Sequence, residues 1–224
     1  AASLEAGDTL GIFAHLAEGR RDDAYNRMEF QYAQDMGLVR DGMTFIHGTG
    51  MNGPDFESAA QANVSIVWSP FSNLLLYGET TDVQSAIEAG VNVTLGTDWS
   101  PTGSKHLLDE VRMARRYLDS IRARGITNAK LVDMVFGNSA KALKREGVLG
   151  TIAPNSLADL VLIRKGKRSS AFASDLLNTD QKEIDLVVVK GQVRWGEPRI
   201  VEAALNTSGQ FTEAEIEEIA PEGA

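Results

Sequence analysis

The chain has 224 residues, 43% of them hydrophobic and 24% charged, with no cysteine and a formal net charge of −9. That length suits one large domain or a domain with an appendage. The acidic balance argues against nucleic acid or an anionic membrane surface as the main partner, and the lack of cysteine excludes a disulfide framework and a thiolate metal site. The longest apolar runs fall well short of a membrane span. No basic-then-apolar leader opens the sequence, so a cytoplasmic location is expected.

In chain order, the first 150 residues alternate strand and helix. A strand at 9–15 precedes an amphipathic helix near 21–36, and a strand at 44–47 precedes a helix near 54–62. A third strand at 65–68 leads through a Ser/Pro/Asn loop to a helix near 81–89. A fourth at 92–96 leads to a long helix over 105–124, and a further helix spans 129–144. Met28, Met36 and Met113 are read as core. The arginines at 112, 115, 116, 122 and 124 are read as a solvated helix face. Repeated βα units of this length imply parallel strands with covering helices. Their continuously apolar runs fit strands buried on both faces. Beyond residue 150 the texture becomes a small β unit, with strands at 158–163 and 185–195 and a hairpin turn at Lys190-Gly191-Gln192. An acidic helix or frayed tail is expected at 212–219. The domains are therefore 1–150 and 151–224.

Three strand ends carry the chemistry. His15, His47 and Asp98 each close an apolar run. Residues placed so in a parallel barrel serve function and not packing. Two imidazoles and a carboxylate suit zinc or iron. Glu18, three residues after His15, is placed to move a proton, and His47 to polarise a substrate carbonyl or ring nitrogen. Asp98 could bind the metal and accept a proton. A lone histidine at a strand end is more often a hydrogen-bonded rim residue than a ligand, and His106, early in a helix, is read as structural. Trp68 and Trp99 flank the active face and are candidate pocket walls. Asn73 either holds its loop or touches substrate.

The order of several motifs resembles the amidohydrolase superfamily, in its deaminase/chlorohydrolase branch, but only that family's C-terminal half. His15-Leu16-Ala17-Glu18-Gly19 is similar to the fifth-strand motif and Phe45-Ile46-His47-Gly48 to the sixth. Trp68-Ser69-Pro70-Phe71-Ser72-Asn73-Leu74 is similar to the seventh-strand loop, and Leu95-Gly96-Thr97-Asp98 to the eighth-strand end. Asn138-Ser139-Ala140-Lys141-Ala142-Leu143 resembles the helix that follows the barrel. The run from Gly150 to Val161 resembles the opening of the C-terminal part of a small β-sandwich. The first-strand His-x-His that supplies two further ligands in that family has no counterpart here, and Asn155 stands where glycine is usual.

The resemblance implies an α/β fold: the C-terminal half of a (β/α)₈ TIM barrel, four βα units, followed by part of a β-sandwich. It implies a metal-dependent hydrolase acting on a C–N bond, or a C–Cl bond, of a small nitrogen-containing ring, by metal-bound hydroxide attack. His15 and Asp98 would be ligands of one divalent metal, Zn or Fe. Glu18, His47 and Asp98 would be catalytic, and Trp68, Asn73 and Trp99 substrate-binding. The alternatives are a cyclic-amide hydrolase of the imidazolone type, and a catalytically incomplete half that serves as a subunit or interaction module. Expected partners are a small-molecule substrate and the missing barrel half carrying His-x-His, with homo-oligomerisation left open. Both outer strands of such a half-barrel are expected to be open edges.

Overall fold

The alternation of apolar runs with capped helices gives a parallel sheet. The structure, a computed structural model, describes residue 4, residues 6–7, 9–164 and 171–206. The acidic stretch at 212–219 lies outside the described residues. The chain divides into two units, residues 1–146 and 147–224.

In the first unit, β1 (Ile12–Leu16), β2 (Met43–His47), β3 (Ser65–Trp68) and β4 (Asn92–Leu95) form one sheet in the order β1-β2-β3-β4. Every neighbouring pair is parallel. The connecting helices are α1 (Ala24–Asp35), α2 (Gly53–Gln61), α3 (Pro70–Tyr77), α4 (Val83–Glu88), α5 (Leu107–Ser120), α6 (Asn128–Val135) and α7 (Gly137–Ala142). Local chemistry sets their starts. The Asp23 carboxylate accepts from the amides of Tyr25 and Asn26. Asn52 and Asp55 form a reciprocal capping box, with Pro54 in the first turn. Such caps satisfy amides that have no partner inside the helix. The core is Phe30, Phe45, Phe56, Ile66, Trp68 and Leu118, each at most 1% exposed.

Three sequence expectations change here. The Ser/Pro/Asn segment is not a loop but α3, because proline is tolerated in a first helical turn and Leu74-Leu75-Leu76 favours helix. The helix expected over 129–144 is two, broken where Phe136 turns to φ −108°, ψ −79° before Gly137. Met28 and Met36 are 47% and 65% exposed and are not core, since they fall outside the narrow buried stripe of α1 formed by Asn26, Phe30 and Ala33.

In the second unit, β5 (Leu160–Ile163), β6 (Ile184–Val189) and β7 (Gln192–Gly196) form an antiparallel sheet in that order. Lys190 and Gly191, with φ of 53° and 77°, make the two-residue connection, whose left-handed pair matches the twist of a hairpin. Helices α8 (Phe172–Leu177) and α9 (Pro198–Asn206) were not read from the sequence. Val201 and Leu205 of α9 pack on Leu186 and Val193 of this sheet.

Candidate metal centre

The C-terminal ends of β1, β2 and β4 turn sharply, with His15 among the last residues of β1, His47 at the end of β2, and Glu18 and Asp98 in the turns that follow β1 and β4. His47 and Asp98 lie at positive φ, 74° and 62°, and so does Ala17, at 50°, between His15 and Glu18. Non-glycine residues in that region cost energy and persist where their surroundings over-determine them. Here the surroundings are specific. The Ala17 amide donates to Glu29 Oε2 at 2.6 Å, and its carbonyl accepts from the Thr49 hydroxyl at 2.6 Å. The Thr81 hydroxyl donates to the His47 carbonyl at 2.6 Å. After β4, Gly96 passes so close to Val67 that a Cβ would come within 2.5 Å of its Cγ1. The loop beyond Asp98 folds back until the Ser104 amide reaches the Thr97 carbonyl at 3.0 Å. At Gly103 in that loop, a Cβ would collide with the Thr97 carbonyl oxygen.

These turns bring His15, His47 and Asp98 together. One ligand atom from each lies within 4.8 Å of the others, a spacing on the scale of one ion with bonds near ~2 Å. The rings of His15 and His47 are 5.3 Å apart between centroids. His47 Nε2 is 3.5 Å from Glu18 Oε1 and 3.8 Å from Asp98 Oδ2. That nitrogen is buried and makes no hydrogen bond. A buried polar atom without a partner is costly, so it calls for a group that enters this space. The imidazole and carboxylate donors, and this orphaned nitrogen between them, fit a divalent metal with a water or substrate beside it.

The electrostatics agree. Burial pushes His47 below the ordinary imidazole range, more than the nearby Glu18 and Asp98 carboxylates raise it, with His15 lowering it further; its neutral form is favoured. Burial pushes the Asp98 carboxyl up, but the Ser72 hydroxyl, the Trp99 amide and the two imidazoles outweigh it, and the group stays below the usual carboxylate range. The Trp99 amide donates to Asp98 Oδ1 at 2.7 Å. The Tyr77 hydroxyl donates to Glu18 Oε1 at 2.9 Å. Burial and the Glu18 carboxylate push that phenol up to about 12, so it remains a donor.

The other expected residues separate. Trp99 is 69% exposed beside Asp98. Asn73 is fully buried, and its Nδ2 lies 2.9 Å from His47 Nδ1. Trp68, expected on a pocket wall, is fully buried under α5, edge-on to Tyr117 with ring centroids 5.9 Å apart. Its expectation is corrected: a strand-end position does not decide which face a side chain takes. His106 caps α5, its Nδ1 accepting from the Asp109 amide at 3.3 Å. Sequence reasoning missed Tyr77, Thr80, Thr81 and Glu110. Glu110 was discoverable as a carboxylate on the apolar stripe of α5, beside the core residues Val111, Ala114 and Leu118. Nothing in the sequence marked Tyr77.

Residues 8–194 match the amidohydrolase family, and the chain belongs to it. The chain is 26% identical over 196 residues to a 5-methylthioadenosine/S-adenosylhomocysteine deaminase of Caldanaerobacter subterraneus subsp. tengcongensis, covering 82% of this chain and 45% of that protein. It is 28% identical to the protein of the same name from Pyrococcus horikoshii, covering 81% and 46%. It thus spans about half the length of these relatives. In fold it is similar to an adenosine deaminase from Xanthomonas campestris with bound zinc, at a TM-score of 0.79 and 19% identity, covering 97% of this chain and 53% of that one. An atrazine chlorohydrolase from Arthrobacter aurescens complexed with zinc gives a TM-score of 0.73 at 22% identity, covering 92% and 50%. Among the described residues, no helix is long and apolar enough to cross a membrane.

Proposed function

We propose that this chain carries half of a metal-dependent hydrolytic site of the deaminase type, acting on a C–N bond of a small nitrogen-containing ring. The observation that carries the reading is the meeting of His15, His47 and Asp98 donors within 4.8 Å, with Glu18 beside them. His15 and Asp98 would hold one divalent metal, zinc or iron. Such an ion lowers the pKa of water at the site towards ~7 and supplies a nucleophile at neutral pH. The rest is done by this chain's own groups. Glu18, fixed through Oε1 by Tyr77, takes the proton of the attacking water and passes it to the leaving nitrogen. His47 presents its buried Nε2 to the reacting group, and Asp98 stays ionised opposite it. Trp99 offers its exposed ring as a platform for the substrate. Asn73 acts through His47, without touching substrate.

A catalytic zinc site takes three protein ligands and an open position, whereas His15 and Asp98 supply two and the sequence holds no His-x-His. We therefore assign the four βα units to half of a (β/α)₈ barrel, the remaining ligands coming from four further units that carry a His-x-His strand end. The names of the relatives make purine nucleosides with a 5′-thioether the first substrates to test. The test is ammonia release together with metal content. Glu18→Gln is expected to keep the metal and lower turnover about 10²-fold or more, while His15→Ala loses both. Undiminished turnover in Glu18→Gln refutes the proton role. Metal retention without ammonia release from any amino-substituted ring favours the cyclic-amide hydrolase instead. The remaining alternative, a catalytically incomplete subunit, draws on the same missing His-x-His, and holds if no metal is retained when all companion units are present.

A further inference from the structure

His47 is held by more than its neighbours in the site. A line of buried side chains reaches it from behind. The Trp68 indole Nε1 donates to the Thr80 hydroxyl at 2.9 Å. That hydroxyl donates to Asn73 Oδ1 at 3.1 Å. Asn73 Nδ2 lies 2.9 Å from His47 Nδ1. Trp68, Thr80, Asn73 and His47 are all at most 1% exposed, so water does not substitute for any link.

The direction of the line is set by its first member. An indole N–H donates and never accepts. Trp68 therefore occupies a lone pair of Thr80, and the hydrogen of that hydroxyl goes to the acceptor it has, Asn73 Oδ1. Once Oδ1 accepts, the other end of the amide, Nδ2, faces the ring. An amide nitrogen only donates, so His47 Nδ1 must present its lone pair. A neutral imidazole carries one N–H and one lone pair, so the hydrogen is left on Nε2, the unpartnered nitrogen in the centre of the site. We infer that Trp68, Thr80 and Asn73 are a positioning relay that fixes neutral His47 as the Nε2–H tautomer, making it a hydrogen-bond donor towards the reacting group. The main chain is locked from the same segment, since Thr81, next to Thr80, donates to the His47 carbonyl. None of the three relay residues reaches the site itself. They act by deciding which face of the imidazole chemistry the site receives. The inference deepens the proposed function, and rests on that reading only for its consequence in metal binding.

The two are separable by experiment. Histidine ¹⁵N spectra of the metal-free, full-length protein report the tautomer directly, with His47 assigned from its loss in His47→Gln. The wild type is expected to show a protonated Nε2 and a bare Nδ1. Thr80→Val, which removes the hydroxyl, frees the amide to turn over and gives a mixture of tautomers. Thr80→Ser, which restores a hydroxyl, restores the single form. Asn73→Asp can only accept, so it draws the hydrogen to Nδ1 and turns the Nε2 lone pair into the site. That variant is expected to bind Zn²⁺ at least tenfold more tightly, on the scale by which groups behind a ligand alter metal affinity. A wild type protonated at Nδ1, or a Thr80→Val protein with an unchanged tautomer, overturns the relay. Failure of Asn73→Asp to fold leaves the threonine pair to decide. A shifted tautomer with unchanged zinc affinity in a folded Asn73→Asp protein keeps the relay and overturns only its consequence for metal binding, since His15 and Asp98 would then hold the ion without His47.

Discussion

The two edges of the parallel sheet are finished differently. On β4, Asn138 of α7 donates through Nδ2 to the Val93 carbonyl at 2.7 Å, and Ser139 Oγ lies 3.3 Å from Thr94 Oγ1 while its hydroxyl donates to the Met134 carbonyl at 2.9 Å. Asn92 donates back to the Asn138 carbonyl at 3.0 Å. Three of the four β4 residues are buried. On β1, whose one strand neighbour among the described residues is β2, Phe13 is 42% exposed and His15 stands exposed as well. The expectation of two open edges changes in part at β4, where Asn138 of α7 takes up the outward Val93 carbonyl. A free strand edge is a template for another strand. The contrast locates the demand for a neighbour at β1, the strand that also supplies a candidate ligand, while Asp98 on the β4 side sits in a finished surround.

The largest expected effect tests that contrast through the core. Phe45 of β2 is 1% exposed and meets Phe30 edge-on at 6.2 Å. Phe45→Ala should cost about 3–5 kcal/mol in urea unfolding, the usual range for a buried aromatic. Phe13→Ala, on the open edge, should cost about 1 kcal/mol or less in the isolated chain. If the two losses are equal there, β1 is covered and the contrast fails. If they become equal only when companion βα units are present, the proposed barrel closure is supported and the site of closure is β1.

How far the sequence could show this follows from what each signal measures. The strands were legible because four short apolar runs between capped helices have few other uses, and β3 was placed at its observed bounds. The donors were legible because each ends such a run. Helix α3 was not, since Pro70 and Ser72-Asn73 are loop residues by composition and it is their place after a strand that makes them a first turn. The side on which Trp68 points was not legible either, because a strand four residues long and buried on both faces has no polar alternation to orient it. Tyr77 reaches Glu18 across 59 positions, and no local pattern reports a contact of that span.

A middle-sized effect belongs to the finished edge. Asn138→Ala removes the donor on the Val93 carbonyl and should cost about 1–3 kcal/mol, the penalty for an acceptor left without its partner. Asn138→Asp should cost more, because a carboxylate cannot donate and would face a carbonyl. Thermal unfolding checks both. A change within ~0.5 kcal/mol for both variants would mean that α7 does not seal β4, and the two edges would be alike after all.

The smallest effect concerns the carboxylate that ties the β4 side together. Glu110 of α5 is fully buried. Its Oε1 accepts from the Phe71 amide at 3.0 Å and its Oε2 from the Ser104 hydroxyl. It thereby joins the first turn of α3, which carries Ser72 and Asn73, to the loop that follows Asp98. Burial pushes its carboxyl above the ordinary glutamate value. The Phe71 and Ser104 hydrogen bonds oppose that push, and the Asp98 and Asp109 charges add to it. The native state therefore holds this proton to a higher pH than the unfolded chain does. Between the unfolded and folded pKa values the native state binds more protons, so the contribution to stability falls as pH rises through that window and stays low above it. Glu110→Gln keeps an acceptor for the Phe71 amide and cannot ionise. Its stability relative to wild type should therefore rise with pH across the window and level off above the folded value. Parallel pH profiles for the two proteins, followed by urea unfolding from the acid side to neutrality, would show that Glu110 titrates as it does in the unfolded chain, and that the β4 side is ordered by hydrogen bonds without any cost of a buried charge.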